Sequence, residues 1–278
     1  MKSAWNHGKT TLLLGALMGL CLGVGYLIGG PRALLPALLL GGVMNVLAYF
    51  FSDRIALATV GAQEIARQDD PELHEVVERL AREGGLPMPR VYISPAAAPN
   101  AFATGRNPRH SAVCVTAGLR QMLSREELAG VIAHELGHVR NRDILISTIA
   151  AVVAGAITYL AYLAMFFGGR DDRNRNPLVG LLLLVLAPLA ATIIQLAISR
   201  SREYAADEYG ARLAGSPRGL ANALRRLTAA NKQIPLPVPP AQSSLFIVAP
   251  LTGKDMASLF MTHPPIEKRI ARLMEMER

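Results

Sequence analysis

The chain has 278 residues, of which 51% are hydrophobic and only 18% are charged, and its formal net charge is +8. This composition is too apolar for one ordinary soluble domain and indicates a membrane protein. The basic balance does not indicate a nucleic-acid-binding protein, because the Lys and Arg residues show no aromatic interleaving and no recognition motif. The two cysteines, Cys21 and Cys114, predict no disulfide framework.

Four apolar stretches account for the excess of hydrophobic residues. They cover residues 10–30, 33–52, 144–167 and 178–199, and they contain no Asp, Glu, Lys or Arg. Because roughly 20 apolar residues at 1.5 Å rise match the ~30 Å hydrocarbon core of a bilayer, we predict four membrane-spanning helices. The first stretch is longer than the apolar core of a signal peptide, so we expect a retained anchor.

These spans divide the chain into parts. We expect an N-terminal pair of spans in residues 1–52, a first extramembrane block in 53–143, a second pair of spans in 144–199 and a second block in 200–278. Near the span ends, eight basic residues lie on the side of the two blocks and four on the other side. This asymmetry favours a cytoplasmic position for both termini and both blocks.

The first block begins with a predicted helix that is capped by Asp70, starts at Pro71 and ends at Gly84. The segments PRVYIS, NAFATG and SAVCVT follow as short predicted strands, separated by Pro, Gly and Asn turns. A capping box, SREE at residues 124–127, starts the next helix. We expect this helix to continue directly into the third span.

The second block begins with a predicted helix, SREYAADEYGARLAG, that ends at Gly215. A second helix starts at Pro217 and runs to about Asn231, and a proline-rich loop follows it. The chain ends in THPPIEKRIARLMEMER, whose last part is predicted to be a helix.

The helix that starts at the capping box carries the motif HELGH. His134 and His138 lie four residues apart and share one face of a helix, so both can bind one ion. Zinc takes neutral imidazole nitrogens, needs a third protein ligand and keeps its fourth position for water. Glu135 lies beside this position and is the candidate general base that takes the proton of that water. The alternative is an ordinary helix with two histidines; the helix cap and the small and apolar neighbours favour one Zn²⁺ per chain.

The third ligand must come from further along the chain. In SREYAAD, Glu203 and Asp207 lie four residues apart and face the same way on a helix. Glu203 can complete the shell of the ion, and Asp207 can accept a hydrogen bond from the free N–H of a ligand histidine. The alternative is that Glu203 pairs with Arg200 or Arg202 on a solvated face.

Two further stretches are candidates for contact with a substrate. Asn100, Ala101, Phe102 and Ala103 form an apolar, weakly patterned segment that suits an edge strand, which an extended substrate can join by backbone hydrogen bonds. The alternative is a structural strand in which Asn100 serves the turn. His263 in THPP is a candidate donor to the oxyanion of a tetrahedral intermediate, and it can equally be a capping or packing residue.

Together, NAFATG, HELGHVRNRD, SREYAADEYGA and HPP, in this order and among four spans, resemble the HtpX family of membrane zinc metallopeptidases. The resemblance covers essentially the whole chain. His134, His138 and Glu203 match the metal ligands of the family, and Glu135 matches its general base. We therefore expect an α+β, mainly helical membrane protein with four transmembrane helices and a gluzincin-like metalloprotease domain that contains a small β-sheet.

The resemblance also implies a biological role. It implies a zinc endopeptidase of the bacterial inner membrane whose active site lies on the cytoplasmic side. Its expected partners are the lipid bilayer, unfolded or misfolded membrane proteins as substrates in envelope stress, and other membrane quality-control proteases.

Two other classes of membrane protein are alternatives to this interpretation. An intramembrane site-2-type protease carries its motif inside a span and takes an aspartate ligand from another span, whereas here SREELAG precedes the motif and RNRD follows it. A membrane chaperone with purely structural zinc normally fills the fourth position with protein, usually Cys. No cysteine lies near this motif, so an open catalytic position is favoured.

Overall fold

The computed structural model describes residues 30–145, 200–231, 233–234, 246–248 and 264–277, together with isolated positions between residues 15 and 26. Most of the first predicted span and nearly all of the third and fourth lie outside these residues, as does His263. Within the part of the chain that is described, no helix combines the length and apolar character that a membrane crossing requires. The four spans and the division into domains stay predictions.

Four short strands form one mixed sheet in the order β1-β2-β4-β3. Strand β2 pairs with β4 in parallel, whereas β3 pairs with β4 and β1 pairs with β2 in antiparallel fashion. The strands are β1 (Gln63–Glu64), β2 (Arg90–Ser94), β3 (Ala101–Gly105) and β4 (Ser111–Thr116). Strands β2, β3 and β4 confirm the three predicted strands, and β3 lies at an edge of the sheet.

Helices make up most of the described structure, which confirms the α+β class. They are α1 (Leu34–Thr59), α2 (Pro71–Glu83), α3 (Ala117–Met122), α4 (Arg125–Asn141), α5 (Arg200–Ala214), α6 (Pro217–Asn231) and α7 (Ile266–Glu275).

The predicted helix ends are confirmed by their hydrogen bonds and backbone angles. The Asp70 side chain accepts a hydrogen bond from the backbone N–H of Leu73 at the start of α2. Both bonds of the capping box between Ser124 and Glu127 are present at the start of α4. Gly215, directly after α5, has a φ of +78°, a conformation that glycine adopts without steric cost.

The end of α4 differs from the prediction. The sequence predicts a helix that continues directly into the third span, but α4 ends at Asn141 and Arg142 takes a left-handed conformation with a φ of 58°. The backbone N–H of Arg142 still donates to the carbonyl oxygens of His138 and Val139. Helical structure resumes directly after this one-residue break, at residues 143–145, and Asp143 is buried.

Helix α4 lies in the middle of the fold. It packs on α5, α6, α2 and β3, and every residue from 127 to 137 is buried. Two glycines allow the neighbouring helices to approach closely: a Cβ atom on Gly130 would lie 2.5 Å from the backbone N of Leu220, and one on Gly210 would lie 2.8 Å from that of His134. Helices α4, α5 and α6 therefore approach almost backbone to backbone.

In contrast, α1 presents large apolar side chains to its surroundings. Leu35 and Leu39 are 65% and 64% exposed, and several further leucine, valine and phenylalanine side chains along the helix are exposed as well. Such a continuous apolar surface is uncommon on a helix that faces water.

Candidate metal centre

Helices α4 and α5 bring the three predicted metal ligands together. The Nε2 atoms of His134 and His138 lie 3.2 Å apart on one face of α4. Glu203 approaches from α5, with Oε1 3.4 Å from Nε2 of His138 and Oε2 3.8 Å from Nε2 of His134. The alternative position for Glu203 on a solvated face is wrong, because its side chain is only 5% exposed.

These separations fit a metal ion. Zinc bonds to histidine nitrogen and carboxylate oxygen at about 2.0–2.2 Å, so that tetrahedral geometry places two such ligand atoms about 3.4 Å apart. The measured distances of 3.2, 3.4 and 3.8 Å lie around this value. One ligand atom from each of the three residues lies within 4.8 Å of the others. His134, His138 and Glu203 could thus hold one metal ion.

Asp207 lies behind His134, one helical turn after Glu203. Its Oδ1 atom is 2.9 Å from Nδ1 of His134, so Nδ1–H donates to the carboxylate and Nε2 is directed to the metal position. Burial alone would raise the pKa of Asp207, but Arg269 and His134 outweigh this effect and lower it to about 2. The carboxylate is therefore ionised throughout the physiological range.

Two charged residues of the site were missed in the sequence. Arg269 on α7 is fully buried and donates to Asp207 from Nε at 2.8 Å and from Nη2 at 2.7 Å. The Asp143 carboxylate lies 3.5 Å from Nδ1 of His138, with Nη1 of Arg202 3.6 Å away. The sequence gives no signal for Arg269, which is one of several basic residues on an amphipathic helix. Nor does it indicate the buried position of Asp143, which follows the left-handed turn at Arg142.

The carboxylates around His138 change its titration. Burial lowers the pKa of a histidine, but Glu203, Asp143 and Glu135 outweigh burial and raise the pKa of His138 to about 9. In the metal-free protein His138 therefore carries a proton at neutral pH.

Glu135 lies beside the three candidate metal ligands, and its side chain contacts the sheet. Its Oε2 atom accepts a hydrogen bond of 2.8 Å from the backbone N–H of Ala103 in β3. Burial raises the pKa of Glu135 above its ordinary value, although His134 and His138 act in the opposite direction. A carboxylate with a raised pKa holds a transferred proton more readily near neutral pH.

The predicted substrate strand has a defined environment. The side-chain amide of Asn100 donates to the carbonyl of Val248 at 2.8 Å, while the Ala101 carbonyl accepts from the backbone N–H of Ile247 at 3.1 Å. The Phe102 ring packs edge to face against Phe246, with ring centroids 5.2 Å apart. Asn100 therefore does more than serve a turn: it binds the segment 246–248 to the start of β3.

A pair of helix-borne histidines, an adjacent buried glutamate and a carboxylate from a second helix is the arrangement that zinc metallopeptidases use. The model of peptidase family M48 matches residues 67–277 of the chain. A protein named Protease HtpX homolog from Thermodesulfovibrio yellowstonii is 55% identical, with 97% of this chain and 98% of the relative covered. A protein of the same name from a Sulfurihydrogenibium species is 52% identical over 98% of this chain and 97% of its own length.

The chain therefore belongs to peptidase family M48 and, within it, to the HtpX proteases. A crystal structure of Ste24p from S. mikatae shares the fold with a TM-score of 0.54 at 19% sequence identity. The match covers 98% of this chain and 66% of the Ste24p chain, so this chain spans slightly less than two thirds of that structure.

Proposed function

We propose that the protein is a membrane-anchored, zinc-dependent endopeptidase that hydrolyses peptide bonds of misfolded or damaged membrane proteins at the cytoplasmic face of a bacterial inner membrane. The observation that carries the proposal is the convergence of two imidazole nitrogens and the Glu203 carboxylate beside a buried Glu135 that contacts an edge strand. Soft ligands such as Cys are not among these groups, and two imidazoles with one carboxylate form a typical ligand set of catalytic zinc.

In this mechanism the protein side chains have separate tasks. A zinc ion held by His134, His138 and Glu203 would act as a Lewis acid on a peptide carbonyl and make water a stronger nucleophile. Asp207 keeps the proton of His134 on Nδ1, and the Ala103 N–H fixes one oxygen of Glu135. The other oxygen of Glu135 accepts the proton of the attacking water and delivers it to the leaving amine.

The hydrogen bond between Glu135 and Ala103 places the candidate general base directly beside the edge strand β3. We propose that an extended substrate binds along this strand through main-chain hydrogen bonds, at groups other than the Ala103 N–H and the Ala101 carbonyl, which already have partners. Recognition of main chain rather than side chains suits a protease that acts on many unfolded proteins. His263 is proposed as the donor to the oxyanion.

The membrane position is supported by the exposed apolar side chains of α1 and by the four apolar stretches of the sequence. A fluorescent protein fused to the C-terminus tests the sidedness, because it folds to its fluorescent form in the cytoplasm. Fluorescence in the membrane fraction is the expected result, and a dark fusion that becomes accessible to external protease contradicts the cytoplasmic assignment.

Glu135→Gln tests the enzymatic proposal. The amide keeps the size of the side chain and can retain a contact with Ala103, but it cannot accept the proton. We expect the full-length variant to keep its fold and bound zinc and to degrade an unfolded test protein about 10²–10⁴-fold more slowly than the wild type.

The matched control is Glu126→Gln, a change on an exposed residue in the first turn of the same helix. This control should retain wild-type activity. Degradation by Glu135→Gln at the wild-type rate would reject the protease proposal and favour a membrane chaperone with a structural metal.

A further inference from the structure

Arg269 is an unusual side chain for the interior of this protein. It is 0% exposed and is the largest of the fully buried side chains in the described residues. A buried charge of this kind is strongly unfavourable unless it is paired and hydrogen-bonded. Its partners all belong to the metal centre or to the edge of β3, which indicates a role in that site.

The strongest contact of Arg269 is with Asp207. Two guanidinium nitrogens donate to the two carboxylate oxygens at 2.8 and 2.7 Å. The same Oδ1 atom that accepts from Arg269 also lies 2.9 Å from Nδ1 of His134. A planar, bidentate pair fixes both the position and the rotation of the carboxylate, and the carboxylate in turn fixes the ring of His134.

A second contact connects Arg269 with the sheet. Its Nη1 atom donates to the carbonyl of Ile247 at 3.1 Å, and the N–H of Ile247 donates to Ala101 in β3. The same nitrogen lies 3.5 Å from Oε2 of Glu203. One guanidinium therefore contacts the partner of a ligand histidine, the third ligand and the segment that lies against the edge strand.

We propose that Arg269 is a positioning residue of the metal centre, which acts through Asp207 to orient His134. The proposal rests on the proposed function, since it takes His134, His138 and Glu203 as the metal ligands. Arg269 does not bind the metal, because a guanidinium carries only donors and no lone pair for an ion. Its effect should therefore be seen in metal affinity and in the geometry of the ligand set.

Arg269→Lys tests the geometry while it keeps the positive charge. An ammonium is a point charge that cannot form the planar fork, so Asp207 should lose its fixed rotation. We expect affinity for Zn²⁺, measured by competition with a chelator on the full-length protein, to fall by about 10–100-fold, the range for loss of an outer partner of a metal ligand. The visible absorption of the Co²⁺-loaded protein should change shape, because that band reports ligand geometry.

Arg272→Lys is the matched control. Arg272 lies one turn from Arg269 on the same helix, is exposed and stacks over the ring of Tyr204. This variant should keep wild-type affinity and the wild-type Co²⁺ spectrum. Wild-type affinity together with an unchanged spectrum in Arg269→Lys would overturn the proposal.

A second comparison distinguishes a positioning role of Arg269 from a role in packing alone, and it remains informative if Arg269→Lys is unstable. Asp207→Asn is compared with the double variant Asp207→Asn, Arg269→Gln, in which no unpaired charge is left at this pair. If Arg269 acts through Asp207, both proteins bind Zn²⁺ within about threefold of each other, since coupled residues are not additive. A further loss of tenfold or more in the double variant contradicts the proposal. Absence of Zn²⁺ binding in the wild type would instead refute the proposed function itself.

Discussion

Gly210 on α5 is a residue at which one added methyl group should weaken metal binding strongly while it lowers the stability of the fold only slightly. A Cβ atom at this position would lie 2.8 Å from the backbone N and 3.0 Å from the Cα of His134. These atoms belong to the backbone of α4 and cannot rotate away. In Gly210→Ala the two helices must therefore move apart beside His134, about two turns along α5 from Glu203.

The size of the movement follows from the contact distance. Non-bonded heavy atoms are most favourable at about 3.5–4.0 Å, so the helices must separate by at least roughly 0.7 Å. Metal–ligand distances in protein sites are met to about 0.2 Å, so the ligand group cannot absorb this shift unchanged. Overpacking costs about 1–3 kcal/mol, whereas alanine gains about 1 kcal/mol over glycine in a helix. The net loss of stability is thus small, but we expect metal affinity to fall by an order of magnitude or more.

The assay measures Zn²⁺ affinity by chelator competition and thermal unfolding of the metal-free protein in the same detergent. Gly137→Ala is the graded comparison, because its Cβ would lie 3.2 Å from Ala206 Cα and from Tyr209 Cδ1, which needs a shift of only about 0.3 Å. Gly42→Ala meets no atom within 4 Å and should bind metal as the wild type does. Wild-type affinity in Gly210→Ala, or weaker metal binding by Gly137→Ala than by Gly210→Ala, would contradict this prediction.

Two further predictions concern the ligands. Glu203→Ala should lose the single tightly held zinc that metal analysis of the wild type is expected to find, and a variant that keeps this zinc would remove Glu203 from the ligand set. The pKa of His138 is about 9 in the metal-free folded protein, against an ordinary value of 6.5, so protonation of His138 stabilises the folded state. Its contribution to stability is therefore complete below pH 6.5 and disappears as the pH rises through about 9. Zinc must displace this proton, so the affinity for Zn²⁺ should rise by roughly tenfold per pH unit across the same window. Chelator competition that gives the same Zn²⁺ affinity at every pH in this window would contradict the assignment of His138 as a ligand.

The sequence predicts the local elements well because each has its own chemical signal. Asp70 followed by Pro71, and the pair Ser124 and Glu127, mark helix starts through hydrogen bonds between neighbouring residues. The strands β2, β3 and β4 are short apolar segments between turn residues. The spacing of His134 and His138 likewise depends only on the period of a helix, and for this reason the candidate ligands are visible without a structure.

Features that depend on tertiary packing were not predicted. Strand β1 has only two residues and is defined by its pairing with β2. The left-handed turn at Arg142 has no local signal, since this conformation is unfavourable for any residue with a Cβ atom. Lys268, Arg269 and Arg272 look alike in the sequence of α7, and only the position of that helix against α5 shows that Arg269 is the buried one.

The glycines of α4 and α5 indicate that the distance between these helices is a requirement of the site. Gly137 on α4 and Gly210 on α5 each weaken a helix interior by about 1 kcal/mol relative to alanine. In each case an added Cβ would meet a neighbouring helix at 3.2 Å or less. This close approach brings Glu203 to within 3.4 Å of His138, a ligand that lies 65 residues earlier in the chain (203 − 138). Larger side chains at these positions would raise the helix propensity of both helices, but they would also move the metal ligands apart. The protein therefore has a lower local helix stability at the positions where the metal site needs a short distance between the helices.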